Sequence, residues 1–475
     1  MGPRKVDVVV IGAGISGLCA AHWLRKNDLS VLVLEKDAEV GGTMKTVSED
    51  GFLSEVGPNS ALETTPLFKE LVSDLQLEHE LVYANPAGKK RFVLKDGTLH
   101  ALPLDPISFI RTPLFSAAAK LRLLKEPFVG RGTKEESIAE FVVRRLGQEF
   151  LDYAIDPFVA GVYAGRPEFL SVRAAFPKLY ALEEEYGGLI RGTILGRKKR
   201  KARAEQAKDR AESFSFLSGM QAFPAAIARN LGSAVLTNAK VTALRDLHLT
   251  GEDSELEPDA RRYCVEFLHG GVQEEVEADA VVLSTPAFAA APLVLSFSRN
   301  TAQVLTSIQY SPVISVFLGV RKSDVGHSLD GFGFLVPTRE RRKILGCLWS
   351  SSLFPGRCPH DAAALTVFVG GGRQPELTAL SDEQIVPLVL DELKSIMQIQ
   401  GKPLYLKVTR WAKAIPQYEI GYKAKVDEME QFEEAHEGIF FCGNYRGGIA
   451  VGDCLQSSYA VSERVSELLR TLSPG

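Results

Sequence analysis

Gly12, Gly14 and Gly17 stand at G-x-G-x-x-G spacing in "VVVIGAGISGL", and Glu35 follows 18 residues after the last of them. This spacing suits the binding of a dinucleotide. Gly12 permits a tight turn after a strand, Gly14 lets backbone N–H groups approach a pyrophosphate, and Gly17 lets a helix pack close to a sheet. Ala13, Ile15 and Ser16 complete the turn and join the cofactor-binding set. The helix start then presents unpaired N–H groups and partial positive charge to the phosphates. A carboxylate at Glu35, with Lys36 beside it, can accept hydrogen bonds from both ribose hydroxyls and would repel a 2′-phosphate.

The next residues separate FAD from NAD. Gly41 and Gly42 form a doublet six residues past Glu35, followed by Thr43, in a pattern that resembles the extended dinucleotide motif of flavoproteins. Gly57-Pro58, followed by Asn59 and Ser60, predicts a tight turn whose backbone passes close to a flavin ring. A second glycine-rich turn closes the chain in "GIFFCGNYRGGIAVGDCLQSS". It is read as the flavin end of the same site. Gly443, Ile449, Ala450 and Val451 lie along the flavin there, and the start of the last helix sets its positive end near the pyrimidine oxygen. Asp453 is expected as that helix's N-cap, and Cys442 and Cys454 as packed small residues.

These residues need a fold to hold them. Apolar runs at 5–11 and 30–35 flank a helical run at 15–26, which makes a βαβ unit. Strand character returns at 233–244, 278–286 and 439–442, and a helix is expected over about 453–472. The fold class is therefore α/β: a Rossmann-like FAD-binding domain assembled from three chain segments, 1–86, 213–290 and 405–475. Residues 107–212 carry helical periodicity, while short alternating runs such as "VISVFLGV" and "ALTVFVGGG" predict a mixed sheet over 87–106 and 291–404. The basic run at 197–210 reads as a solvated face, with anionic lipid as the sharper alternative.

Composition excludes several classes. A net charge of −4 gives no basic field for nucleic acid. The six cysteines form no CxxC pair and no cluster with the eight isolated histidines, so no metal site is expected. The histidines read mostly as surface residues. No stretch reaches the roughly 18 apolar residues of a membrane span, and "MGPRKVDVVVIG" leads straight into the glycine turn, so it is not read as a targeting segment.

Beyond the generic "GAGISGL", the chain carries "GPNS", "KRFVLKDGTLHALP", "GVYAGRPEFLSVRAAFP", "GFGFLVP", "LGCLWSSSLFP", "VGGGRQP", "IPQYEIGY" and "GIAVGDC" in that order. Over most of its length it resembles the protoporphyrinogen oxidase family of the FAD-dependent, amine-oxidase-like superfamily. The resemblance implies a FAD domain, a substrate domain and a helical membrane-associating domain. It also implies a six-electron oxidation of a porphyrinogen in three rounds, each passing a hydride to flavin N5, with O₂ reoxidising the flavin to give H₂O₂. Arg91 matches the family's propionate-pairing arginine, whose donor fork suits a carboxylate. Phe332, Leu335, Leu348 and Phe368 match macrocycle-lining positions, and Gly165 matches a close backbone approach to the substrate. Val241 and Trp411 complete the cofactor set. Since flavin N5 takes the hydride, the protein mainly positions the substrate, and no side-chain base is named.

Ser218-Gly219 stands where the family usually has two glycines. Protoporphyrinogen IX is the preferred substrate and coproporphyrinogen III the first alternative. An amine oxidase, a carotenoid desaturase and a flavin-free binding protein on the same fold stay open. The expected partners are the porphyrinogen, O₂ and a membrane surface on its cytoplasmic side, with a homodimer and hand-off to a ferrochelatase compatible with this reading. The stretch at 106–128 mixes apolar residues with Arg111, Lys120, Arg122 and Lys125, as an interfacial segment would.

Overall fold

The computed structural model describes residues 3–196, 211–248 and 261–472. The basic run at 197–210 lies outside the described residues.

The βαβ unit forms as its apolar runs dictate. β1 (Arg4–Ile11) and β2 (Val31–Leu34) pair in parallel on either side of α1 (Ile15–Lys26). β2 (VLVL) and the second half of β1 (VVVI) are unbroken, fully buried aliphatic runs, as strands covered on both faces of a parallel sheet require. The strand Val272–Leu283 pairs in parallel with β1, and its last residues pair with Ile439–Phe441 near the end of the chain. Its first half turns back antiparallel through Tyr263–His269 to Ala239–Asp246. The short strand Val235–Leu236 closes the other edge against β2. The C-terminal helix Val451–Leu472 packs on α1, with Trp23 and Tyr459 meeting edge to face at 5.4 Å. His22 on α1 is buried and bonded to Asp74 at 3.0 Å.

A second sheet runs in the order Tyr405–Pro416, Tyr310–Arg321, Ala362–Gly370, Gly346–Leu348, Gly333–Leu335, Phe92–Lys95, Thr98–Ala101. The amphipathic helix Asp382–Met397 covers it, burying Ile385, Val389, Leu393 and Met397. The boundary expected at 405 is corrected here. Tyr405–Pro416 is the antiparallel neighbour of Tyr310–Arg321, so it belongs to the second sheet and not to the dinucleotide sheet.

Short helices fill the chain from Pro106–Arg111 to Leu189–Leu195. Arg145, fully buried, knits them together. It binds Glu126 at 3.0 Å and Glu183 at 2.5 Å, while Glu126 also accepts from the N–H groups of Leu189 and Ile190 at the start of the last helix. With every charge paired and hydrogen-bonded, removal of one partner would leave an uncompensated buried ion. No helix among the described residues is long and apolar enough to cross a membrane.

Candidate active site

A cleft of about 3500 Å³ runs from the glycine turn after β1, past the second sheet, to the helical region. Gly12, Gly14, Ile15, Ser16, Glu35 and Lys36 line one end. Gly12 has φ +104°, as a turn leaving a strand requires. A Cβ on Gly17 would lie 2.1 Å from Gly12 O and 2.3 Å from Ser284 Oγ, so this glycine allows helix and sheet to meet. Gly17 and Ala13 therefore stand behind the cleft wall. A Cβ on Gly14 would meet nothing within 4 Å. As the first residue before α1 it also offers no side chain to bond the helix's leading N–H groups. That open, donor-rich space is the cradle a pyrophosphate needs.

Glu35 is buried, and its carboxylate accepts from Ala13 N at 2.7 Å and Asp37 N at 3.0 Å. These bonds fix it at the cleft wall with lone pairs left for ribose hydroxyls. Val241 lines the same end, beside an irregularity in the Ala239–Asp246 strand pairing. The Gly41-Gly42 doublet folds onto the first turn: Gly41 N donates to Ala13 O at 2.8 Å, and Gly42 faces Gly14. Gly41 lines the cleft as Gly42 and Thr43 do. Gly57 approaches Thr43 so closely that a Cβ would sit 2.0 Å from its carbonyl oxygen. Pro58, Asn59 and Ser60 continue the wall. Trp411 crosses from the second sheet, its indole N–H donating to Val56 O at 3.0 Å.

Ser284 and Thr285, at the end of the strand Val272–Leu283, are additions that sequence reading missed. Ser284 Oγ bonds the carbonyls of Ile11 and Gly12, and Thr285 Oγ1 is buried at the cleft with no hydrogen-bond partner among the described residues. A polar atom left this way at a ligand cleft fits a group that arrives with the ligand.

At the other end of the cofactor region, Gly443, Ile449, Ala450 and Val451 line the cleft where the C-terminal helix begins. Asp453 is not the N-cap. It lies in the first turn and reaches back to accept from Ala450 N at 3.2 Å. The "IPQYEIGY" segment holds this loop in place. Tyr418 Oη donates to Asn444 O at 2.6 Å and accepts from Gly448 N at 3.0 Å, and Tyr422 Oη donates to Tyr445 O at 2.7 Å. Replacing Tyr418 by phenylalanine leaves two half-buried backbone groups, Asn444 O and Gly448 N, short of a partner, at about 1 kcal/mol each. FAD affinity is expected to fall by about tenfold or more, read by titrating apoprotein with FAD; unchanged affinity would separate the clamp from the cofactor loop.

The half of the cleft away from the glycine turn is largely apolar. Phe332, Leu335, Leu348 and Phe368 line it from the second sheet, facing Gly161 and Val162 of "GVYAG". Arg91 projects into this region with its guanidinium 4.9 Å from the Phe332 ring centroid. Among the described residues no carboxylate pairs with Arg91. Arg91 stays open to the cleft, yet the protein packed around it lowers its pKa by desolvation, a penalty that an arriving anion would relieve. The expectation for Gly165 is corrected. It lies off the cleft, where a Cβ would sit 2.4 Å from Gln417 Oε1, so it makes room for the "IPQY" segment. The glycine of this motif that faces the cleft's apolar wall is Gly161, where a Cβ would lie 2.5 Å from Leu335.

A family model described as flavin containing amine oxidoreductase matches residues 15–466. The chain belongs to the flavin-containing amine oxidoreductase family. It is an FAD-dependent oxidoreductase, and the cradle, the fixed carboxylate and the clamped tail loop are where this family member would hold the cofactor. Mitochondrial protoporphyrinogen oxidase of Nicotiana tabacum is 33% identical over 98% of this chain and 96% of its own. Coproporphyrinogen III oxidase of Bacillus subtilis (strain 168) is 31% identical over 98% of this chain and all of its own. A solved structure from Exiguobacterium sp. 255-15, provisionally assigned as a protoporphyrinogen oxidase, superposes with a TM-score of 0.78 at 23% identity, covering 98% of this chain and 99% of that one. This last likeness concerns the fold.

Proposed function

We propose that this flavoenzyme oxidises protoporphyrinogen IX to protoporphyrin IX, with O₂ as the final acceptor. The observation that carries the reading is Arg91, a cation with no carboxylate partner among the described residues, set against an aromatic ring on an otherwise apolar wall. A flat, apolar macrocycle with carboxylates on one edge matches that arrangement. Bound FAD supplies the hydride-accepting centre. The protein binds and orients: Arg91 fixes a propionate, and Leu335, Leu348, Phe332 and Phe368 pack the ring. Three rounds of oxidation need the macrocycle to turn or migrate between them, which apolar walls permit better than a polar cage would. Anaerobic mixing of the holoenzyme with protoporphyrinogen IX should bleach the flavin band; a band that persists would overturn the reading. Coproporphyrinogen III is the second reading, because Lys178 lines the far part of the cleft, where additional carboxylates would lie.

The helical region is proposed to dock on a membrane surface. Leu104, Ile107, Ile110, Leu121, Leu124, Phe128, Ile194 and Leu195 are all exposed, Phe128 by 82%. Ile194 also lines the cleft, so the apolar surface and the site meet. Arg111, Lys120, Arg122 and Lys125 lie among these residues in the chain, as an anionic interface favours. Replacing Leu124 and Phe128 by serine is expected to cut co-sedimentation with anionic liposomes about tenfold while leaving FAD content intact. Equal co-sedimentation of variant and parent would contradict docking by this face.

A further inference from the structure

The strand Phe52–Glu55 ends on a carboxyl that lies behind the cleft. Glu55 is 5% exposed and accepts from Thr46 Oγ1 at 2.7 Å and Met220 N at 3.0 Å. Across from it stands Arg357, 2% exposed, held by Ser215 Oγ at 2.8 Å and Phe216 O at 3.0 Å. A pocket of about 10 Å³ is lined by both, with Ser350, Asn59 and the apolar side chains of Leu53, Phe317, Leu353 and Phe354. That volume is about what one water needs, and the polar walls give it partners.

Asn59 lines this pocket and the large cleft alike. Its Oδ1 accepts from Thr366 Oγ1 at 3.2 Å, and its Nδ2 donates to Gly57 O at 3.3 Å. Thr366 Oγ1 lies 2.9 Å from Ser350 Oγ. A hydroxyl carries one proton. Thr366 spends it on Asn59, so Ser350 donates to Thr366 and its oxygen is left to accept from the pocket. The chain of donors therefore runs one way, from the pocket through Ser350 and Thr366 to the amide at the cleft wall.

We infer that Glu55 is a positioning residue for the cofactor-side turn at 57–60: protonating its carboxyl adds a donor at the pocket end of this chain and tightens the hold on Asn59. A water filling this space would be oriented between Glu55 and Arg357 when Glu55 is ionised, and the donor chain would begin at that water. When Glu55 is neutral, its carboxyl proton would head the series through such a water to Ser350, and each bond polarises the next. Of the groups that face Glu55 among the described residues, Arg357 carries charge; the Thr46 and Ser350 hydroxyls and the Met220 N–H do not titrate in this range. Burial is the largest influence on the Glu55 carboxyl and holds its pKa up to about 7, against the lowering pull of Thr46, Met220 N and Arg357. The switch therefore falls in the neutral range. Stability it contributes is present below its ordinary value of 4.5 and is lost as pH rises through about 7.

The inference rests on the flavin cleft and not on the identity of the substrate, so its test uses no substrate. Visible absorbance and fluorescence of bound FAD, together with the thermal midpoint, are followed between about pH 5.5 and 8.5 in the holoprotein, Glu55→Gln and Ser350→Ala. The unaltered protein is expected to show a one-proton change in the flavin signal centred near pH 7, and Glu55→Gln to lose it. Ser350→Ala should keep the pH dependence of the thermal midpoint but lose most of the flavin change, because the carboxyl still titrates and its connection is cut. A full-sized flavin change in either variant, or none in the unaltered protein, would overturn the inference.

Discussion

Arg91→Ala is expected to raise the Michaelis constant for protoporphyrinogen by about 10- to 100-fold while FAD content stays at the parent level. A hydrogen bond to a charged group contributes about 1.5–3 kcal/mol, and 1.4 kcal/mol is about a factor of ten. The split between substrate and cofactor follows from position. Arg91 faces the Phe332 ring on the substrate side, and the FAD-side contacts at Glu35, Gly41 and Trp411 belong to other elements. Because no carboxylate among the described residues pairs with Arg91 and would be left behind, its removal should cost little stability. Arg91→Lys should recover part of the affinity, since it keeps the charge and loses the fork. Steady-state kinetics with flavin absorbance on the same sample check both halves. An unchanged Michaelis constant would remove Arg91 from the site.

Gly17→Ala is expected to abolish FAD binding and to destabilise the fold. The added methyl would sit 2.1 Å from the Gly12 carbonyl oxygen and 2.3 Å from Ser284 Oγ. The first of these belongs to the backbone turn of β1 and cannot swing away as a flexible side chain can. Overpacking typically costs about 1–3 kcal/mol, and a rigid neighbour places this case at the upper end. Gly14→Ala is the instructive contrast. Its methyl meets no protein atom within 4 Å and points into the space where the pyrophosphate would lie. That variant should keep its thermal midpoint without FAD yet bind FAD at least tenfold more weakly. Thermal unfolding of the apoproteins and FAD titration separate the two glycines. A Gly14→Ala protein as unstable as Gly17→Ala would mean that Gly14 is packed, not open.

The dinucleotide end was legible because its determinants are local. Glycine spacing, two apolar runs and one carboxylate lie within a single βαβ unit, and the helix expected at Ile15–Lys26 is the helix found. The strand Tyr405–Pro416 was not read from the sequence, which placed 405 at the start of the last dinucleotide-domain segment. Its sequence alternates as an edge strand should, and which sheet it joins depends on Tyr310–Arg321, far away in the chain. The motif glycines behave similarly. "GVYAG" stood out, but whether Gly161 or Gly165 faces the cleft depends on where Leu335 and Gln417 arrive. The "IPQY" tyrosine was visible as a family mark, whereas its grip on Asn444 and Gly448 is a contact between segments that no local pattern encodes. Glu55 and Arg357 escaped notice for the same reason. A carboxylate at the end of a short strand looks solvated until the segment carrying Arg357 and the turn at Met220 close over it.

The central claim is that the apolar cleft with Arg91 at its wall oxidises a porphyrinogen, with protoporphyrinogen preferred. Aerobic turnover of protoporphyrinogen IX and coproporphyrinogen III in parallel, followed by porphyrin fluorescence on FAD-loaded enzyme, tests it most directly. The expected result is porphyrin formation from both reductants' class with protoporphyrinogen IX favoured in kcat/KM, and H₂O₂ released alongside it. Preference for coproporphyrinogen III would contradict the substrate assignment, and absence of porphyrin from either, with FAD bound, would contradict the function.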